Sequence, residues 1–133
     1  MEYLYSLCKS TMENYVIQAW GAWVEDLARR GLEQALNSEE FSAIIYEGER
    51  IGAVSILRHD THYQLEELYI SGQYQNRGIG AKIVRDLIAI AKQEGKPIRL
   101  RVLTSNPAKS LYDRLGFVVT KTEPERYFME YHV

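Results

Sequence analysis

A chain of 133 residues has room for one hydrophobic core, and its 46% hydrophobic and 26% charged residues are ordinary for a globular protein. The formal net charge of −2 excludes a global basic field that would draw the chain onto nucleic acid or an anionic membrane. The single cysteine, Cys8, excludes an intrachain disulfide and fits a reducing compartment. The start "MEYLYSLCKS" has neither the basic opening nor the apolar run of a secretory leader, and no stretch is long and apolar enough for a membrane span. A soluble cytoplasmic protein of one domain, residues 1–133, is expected.

In chain order, "EYLYSL" alternates loosely and reads as a short first strand. "STMENYVIQAW" opens with Ser10 and has Glu13 three residues on, a capping box that predicts a helix start. "WVEDLARRGLEQAL" reads as a second helix, ended or bent at Gly31. "FSAIIYEGERIGAVSILRHD" predicts a β-hairpin around Glu47-Gly48-Glu49-Arg50. "YQLEELYI" is the next strand, and its adjacent acids Glu66 and Glu67 should point to opposite faces.

Then comes "YQNRGIGAK", with two glycines one residue apart directly before a helical stripe of Ile79, Ile83, Leu87, Ile90 and Ala91. Gly95 and Pro97 end that helix, and "IRLRVL" alternates cleanly as a strand. In "SNPAKSLYDRLGF", Asn106 reads as an N-cap, Pro107 as the first helical position and Gly116 as the stop. "FVVTKT" and "RYFMEYHV" close the chain as two antiparallel strands. The sum is a mixed α/β sheet with helices packed on it, without linker, repeat or low-complexity segment.

The glycine turn is the chemical clue. The first amides of a helix lack internal partners and the helix dipole adds positive potential there, so a strand–glycine turn–helix makes an anion site. Glycines at 78 and 80 leave the backbone bare for a phosphate. A dinucleotide fingerprint would need a glycine where Ile83 stands. A nucleotide-triphosphate loop would need Lys and Ser/Thr after Gly80, where Ala81 and Lys82 stand.

"QNRGIG" resembles the Gln/Arg-x-x-Gly-x-Gly/Ala motif of the GNAT superfamily of N-acetyltransferases. "NPAKSLYDRLGF" is similar to its later segment, an Asn, a short helix with a Tyr, then Gly-Phe, and "LEELYI" is similar to the strand before the loop. The order of elements matches from the hairpin to Val133. Trp20-Gly21-Ala22-Trp23 resembles the start of small members.

The resemblance implies a GNAT-like sheet of about six or seven strands with a V-shaped splay and about four helices. It implies acetyl-CoA as the acyl donor and a primary amine of a small molecule or peptide as acceptor. The backbone of Gln75, Asn76, Arg77, Gly78, Ile79, Gly80 and Ala81 would cradle the pyrophosphate, with Lys82 and Lys109 near the 3′-phosphate. Leu68, Tyr69 and Ile70 would pair with the pantetheine arm as an added strand does, beside Asn106. Tyr112 would give a proton to the departing sulfur, and Glu66, with Glu67 in reserve, would take one from the amine. The acceptor pocket would draw on Tyr15, Trp20, Trp23, Tyr69 and Tyr127. Transfer would be direct, because Cys8 is the only thiol and lies far from the slot in sequence. No metal is expected: His59 and His62 read as members of an exposed turn. A homodimer stays open, as do two other readings: a cofactor-binding module without turnover, and a binder of a different phosphorylated ligand.

Overall fold

The computed structural model describes residues 1–38 and 41–133. The elements are α1 (Glu2–Trp20), α2 (Glu25–Ser38), β1 (Phe41–Tyr46), β2 (Glu49–Arg58), β3 (Tyr63–Ile70), a short 3-10 turn (Gly72–Tyr74), α3 (Ile79–Glu94), β4 (Ile98–Leu103), α4 (Ala108–Arg114), β5 (Val118–Thr122) and β6 (Arg126–Tyr131). They form one six-stranded sheet in the order β1-β2-β3-β4-β6-β5. The mixed sheet with four α-helices is the GNAT-like fold that the sequence predicted.

The first element corrects the sequence reading. "EYLYSL" is not a strand but the opening of α1, because its buried residues are Leu4, Tyr5, Leu7 and Cys8, a spacing that makes one face of a helix. The capping box at Ser10 is therefore inside a helix. The Ser10 hydroxyl donates back to the Leu7 carbonyl at 3.1 Å, and Thr11 does so at 2.8 Å. α1 ends at Gly21, whose φ of 92° suits glycine. Trp20 and Trp23 thus do not share a helix face. α2 runs through Gly31 without ending there.

The β1–β2 hairpin turns on Glu47 and Gly48, both at positive φ (51° and 81°), the conformation of the tight two-residue turn that matches strand twist. Packing divides the sheet into two faces. One carries α3 and α4 over Tyr63, Leu65, Ile98, Leu100, Val102 and Met129. The other carries α1 and α2 over Ala53 and Tyr69.

Two irregularities shape the middle of the sheet. β3 pairs with β4 in parallel only at Tyr63↔Ile98, Gln64↔Arg99 and Leu65↔Leu100; among the described residues the ladder ends there and the strands part. At the same point the β2–β3 register jumps from Ile56↔Leu65 to Ser55↔Glu67, leaving Glu66 as an extra residue in a bulge. The bulge resets the alternation. Leu65 and Leu68 both pack toward α3, and the intervening Glu66 and Glu67 both turn to the α1 face. The expectation that the two acids face opposite ways is corrected by that one inserted residue.

Candidate active site

The parting of β3 from β4 opens a slot. Ser71 N–H donates to Ile51 of β2 at 2.8 Å, so by alternation Leu68 and Ile70 turn their peptide groups toward the gap. The Ile70 carbonyl accepts from Gln75 Nε2 at 2.8 Å, which folds the glycine turn back against the strand.

At one end of the slot α3 begins. Its N-cap is Gly78, at φ 81° and without a side chain to cap the helix; Asn76, at φ 61°, completes the tight reversal. The first intrahelical bond runs from Lys82 N–H to the Gly78 carbonyl at 3.0 Å, so the amides before it point out of the helix end. Gly80 packs against Ile70 and Leu111, where an added methyl would make ordinary contact at 3.4 and 3.7 Å. A cleft of about 470 Å³ joins this helix end to Leu68 and Ile70 on one wall, Asn106, Leu111 and Tyr112 of the α4 segment on the other, and Thr11, Met12 and Tyr15 of α1 above. The N-cap position of α4 is taken by Pro107, one residue later than the sequence suggested; the Asn106 side chain just before it accepts from Ala108 N–H at 2.9 Å, and its amide nitrogen stays near Met12 Sδ at 3.9 Å.

The cleft continues past Tyr112 into a second cavity of about 220 Å³ between the parted strands, lined by Glu66, Glu67, Tyr69, Arg101, Leu103 and Arg126 among others. Tyr112, Leu68, Asn106 and Met12 line both spaces, so the phenol stands at their junction. Tyr112 is buried, with its ring against Phe117. Burial, and then the negative charge of Glu67, push its pKa up to about 12. The phenol therefore keeps its proton throughout the physiological range.

The carboxylates differ in their ties. Glu66 is held by Arg101 at 3.3 Å. Glu67 accepts from the Tyr69 hydroxyl at 2.7 Å, and Cys8 Sγ donates to that hydroxyl at 3.6 Å. Burial and the Glu67 charge both raise the Tyr69 pKa, so Tyr69 remains a donor. Burial likewise pushes the Cys8 thiol up, which disfavours the thiolate there.

A family model described as "Acetyltransferase (GNAT) domain" matches residues 11–132. The chain belongs to the GNAT acetyltransferase family. A search of curated proteins found no match. Similar solved structures include the PaiA N-acetyltransferase from Thermoplasma acidophilum in complex with coenzyme A, at 20% identity and TM-score 0.71 over 99% of this chain and 94% of that one. A GNAT family acetyltransferase from Elizabethkingia anophelis with acetyl-CoA bound matches at 20% identity and TM-score 0.67, covering 81% and 85%. The Pyrococcus horikoshii protein PH1933 matches at 18% identity and TM-score 0.77, covering 99% and 89%.

Within this GNAT fold the predicted residues separate into two groups. Leu68, Ile70, Gln75, Asn76, Gly78, Ile79, Gly80, Ala81, Asn106 and Tyr112 line one continuous cleft, and Tyr15 joins them there rather than in the inner cavity. Others lie apart. Arg77 sits over the Tyr74 ring at 5.4 Å, and Lys109 pairs with Asp113 at 2.8 Å. Lys82 pairs with Asp86 at 3.0 Å. Trp23 is in the α1–α2 core, its indole N–H on the Tyr5 hydroxyl at 3.0 Å. Tyr127 packs on the α3–α4 face, away from the inner cavity. Trp20 is half exposed, with the Arg126 guanidinium 5.5 Å from its ring.

Sequence reading missed Thr11, Met12, Arg101 and Arg126. The alternation of "IRLRVL" puts Arg99 and Arg101 on the face opposite Ile98, Leu100 and Val102, and that signal could have found Arg101. Nothing local marks Met12 or Arg126. Among the described residues no cluster of three or more metal-ligating side chains occurs, and His59 and His62 stack on each other in their turn with ring centroids 4.7 Å apart. Nor, among those residues, is any helix long and apolar enough to cross a membrane.

Proposed function

We propose that this protein moves the acetyl group of acetyl-CoA to a primary amine, directly and in a ternary complex. The observation that carries the reading is the open slot itself, which runs from the bare N-terminus of α3 along the peptide edge of β3 to the protonated phenol of Tyr112. A diphosphate suits the helix end. An amide-bearing arm suits a strand edge with polar groups to satisfy. The relatives of the same fold that carry coenzyme A or acetyl-CoA make that donor the natural occupant.

When bound, acetyl-CoA would supply the activated carbonyl; the residues of the chain handle the protons. An alkylammonium, with a reference pKa of about 10.4, must lose a proton before it attacks. Glu67 is better disposed than Glu66 to accept it. Tyr69 fixes one Glu67 oxygen, and the Glu67 charge already bears on Tyr112, while Arg101 engages Glu66. As the nitrogen–carbon bond forms and the carbon–sulfur bond breaks, the sulfur leaves as a thiolate. Tyr112 gives it a proton, a contribution worth about 10²–10⁴-fold in rate, and the second proton that the nitrogen sheds on becoming an amide returns through solvent to the Tyr112 phenolate.

The test is a thiol-release assay with acetyl-CoA over an amine library, beside thermal shifts with acetyl-CoA, coenzyme A and ATP. Acetyl-CoA and coenzyme A at about a hundredfold excess over their dissociation constants should each stabilise the protein by about 2.7 kcal/mol, and ATP should not. Intact mass after incubation with labelled acetyl-CoA, acceptor omitted, should stay unchanged; an acetylated protein would overturn direct transfer.

A further inference from the structure

The inner cavity has a charge pattern that bears on what enters it. Its charged lining consists of Glu66, Glu67, Arg101 and Arg126, two carboxylates and two guanidiniums. A site for a polycation would hold a surplus of carboxylates, and a site for a simple alkylamine has no use for a guanidinium. Glu66 and Arg101 compensate one another at 3.3 Å. Glu67 then belongs to the Tyr112 end, where its charge acts on the phenol.

Arg126 begins β6 opposite Leu103, at the wide end of the parted strands. Its guanidinium lies 5.5 Å from the Trp20 ring, and its ion-pair partner on the surface, Glu123, is 3.9 Å away, beyond hydrogen-bond reach. At that distance the guanidinium makes a cation–π contact with the ring, which leaves its planar fork of N–H groups for a carboxylate. The cavity, about 220 Å³, is below the roughly 300–1,000 Å³ of common ligand pockets, which favours one small molecule over a peptide segment.

We propose that the acceptor is a small amino-carboxylate, its amine received at Glu67 beside Tyr112 and its carboxylate by the Arg126 fork. This rests on the acetyl-transfer reading above. It assigns Arg126 as the residue that determines acceptor class: a site built to bind a carboxylate discriminates strongly against the analogue without one.

The experiment compares matched acceptors: amino acids, the amines left when their carboxyl groups are removed, and a linear triamine. The wild-type protein should prefer the amino-carboxylate of each pair at least tenfold in kcat/KM. Arg126→Ala should collapse that ratio at least tenfold, through KM rather than kcat, and Arg126→Lys should retain part of it. Arg126→Gln serves if the alanine variant does not fold, with stabilisation by coenzyme A as the check of folding. Calorimetry of each amino acid with the coenzyme A-saturated protein should show binding that Arg126→Ala weakens at least tenfold, a readout that needs no turnover. Equal or better use of the decarboxylated amines or the triamine, or a ratio unchanged in the Arg126 variants, would overturn the acceptor assignment while leaving acetyl transfer standing. No coenzyme A binding and no thiol release with any amine would instead overturn the acetyl-transfer reading itself.

Discussion

The two halves of the β3–β4 seam are built from the same two strands and do opposite work. In the lower half, Tyr63, Gln64 and Leu65 pair with Ile98, Arg99 and Leu100, and Ile98 is 0% exposed. Here the backbone ladder is intact and the apolar side chains pack beneath α3. In the upper half, one extra residue at Glu66 coincides with the end of pairing, and the strands bring two carboxylates and a guanidinium to a cavity that Tyr112 of α4 also lines. Ligand sites need backbone polar groups that the protein's own ladder does not consume. A sheet can supply them only where its own ladder stops.

The contrast can be broken from either side. The largest effect is expected in the open half: Tyr112→Phe should slow turnover by about 10²–10⁴-fold and weaken coenzyme A binding much less, as read by kcat against the thermal shift. An unaltered rate would remove the phenol from the reaction. In the closed half, Ile98→Ala should cost about 2–5 kcal/mol in urea unfolding, because the cavity it leaves lies under packed neighbours. A cost below 1 kcal/mol would mean that the lower seam is not the rigid base of the slot.

Alkaline pH probes the junction between the halves. The Tyr112 pKa is raised from 10.0 to about 12 in the folded chain. The protonated phenol is thus favoured by folding, and its contribution is whole below pH 10 and lost as pH rises from 10 through 12. Two pKa units correspond to about 2–3 kcal/mol. The stability difference between wild type and Tyr112→Phe, followed by urea unfolding, should fall across that window; a flat difference would mean that the hydroxyl is well solvated. The smallest change is expected at Asn106→Ala, which removes the bond to Ala108 N–H and should cost about 0.5–2 kcal/mol.

Most of the lining of the outer cleft was legible from the sequence. Glycine at 78 and 80, a strand before and an apolar stripe after, is a local pattern whose meaning is local: positive φ at the turn and bare amides at the helix end. Asn106 and Tyr112 were legible for the same reason, since capping and helical spacing act within a few residues. The first turn of α1 was misread because "EYLYSL" fits a two-residue repeat as readily as a helical one, and only the burial of Leu4, Tyr5, Leu7 and Cys8 against α2 and the sheet decides between them. Trp23 and Tyr127 were assigned to the acceptor site on residue type, and both are used in packing.

By itself, then, the amino-acid sequence determined the family, the bounds of α3, the glycine turn before it and the place of Tyr112 on a short helix. Those features arise from backbone preferences and side-chain periodicities that span a few neighbouring positions. The tertiary structure decided where β3 leaves β4, that Glu66 and Glu67 share a face, and that Arg126 from the last strand meets Glu67 from the third across one cavity. Such relations depend on strand register and on contacts between residues some sixty positions apart, which no local pattern encodes.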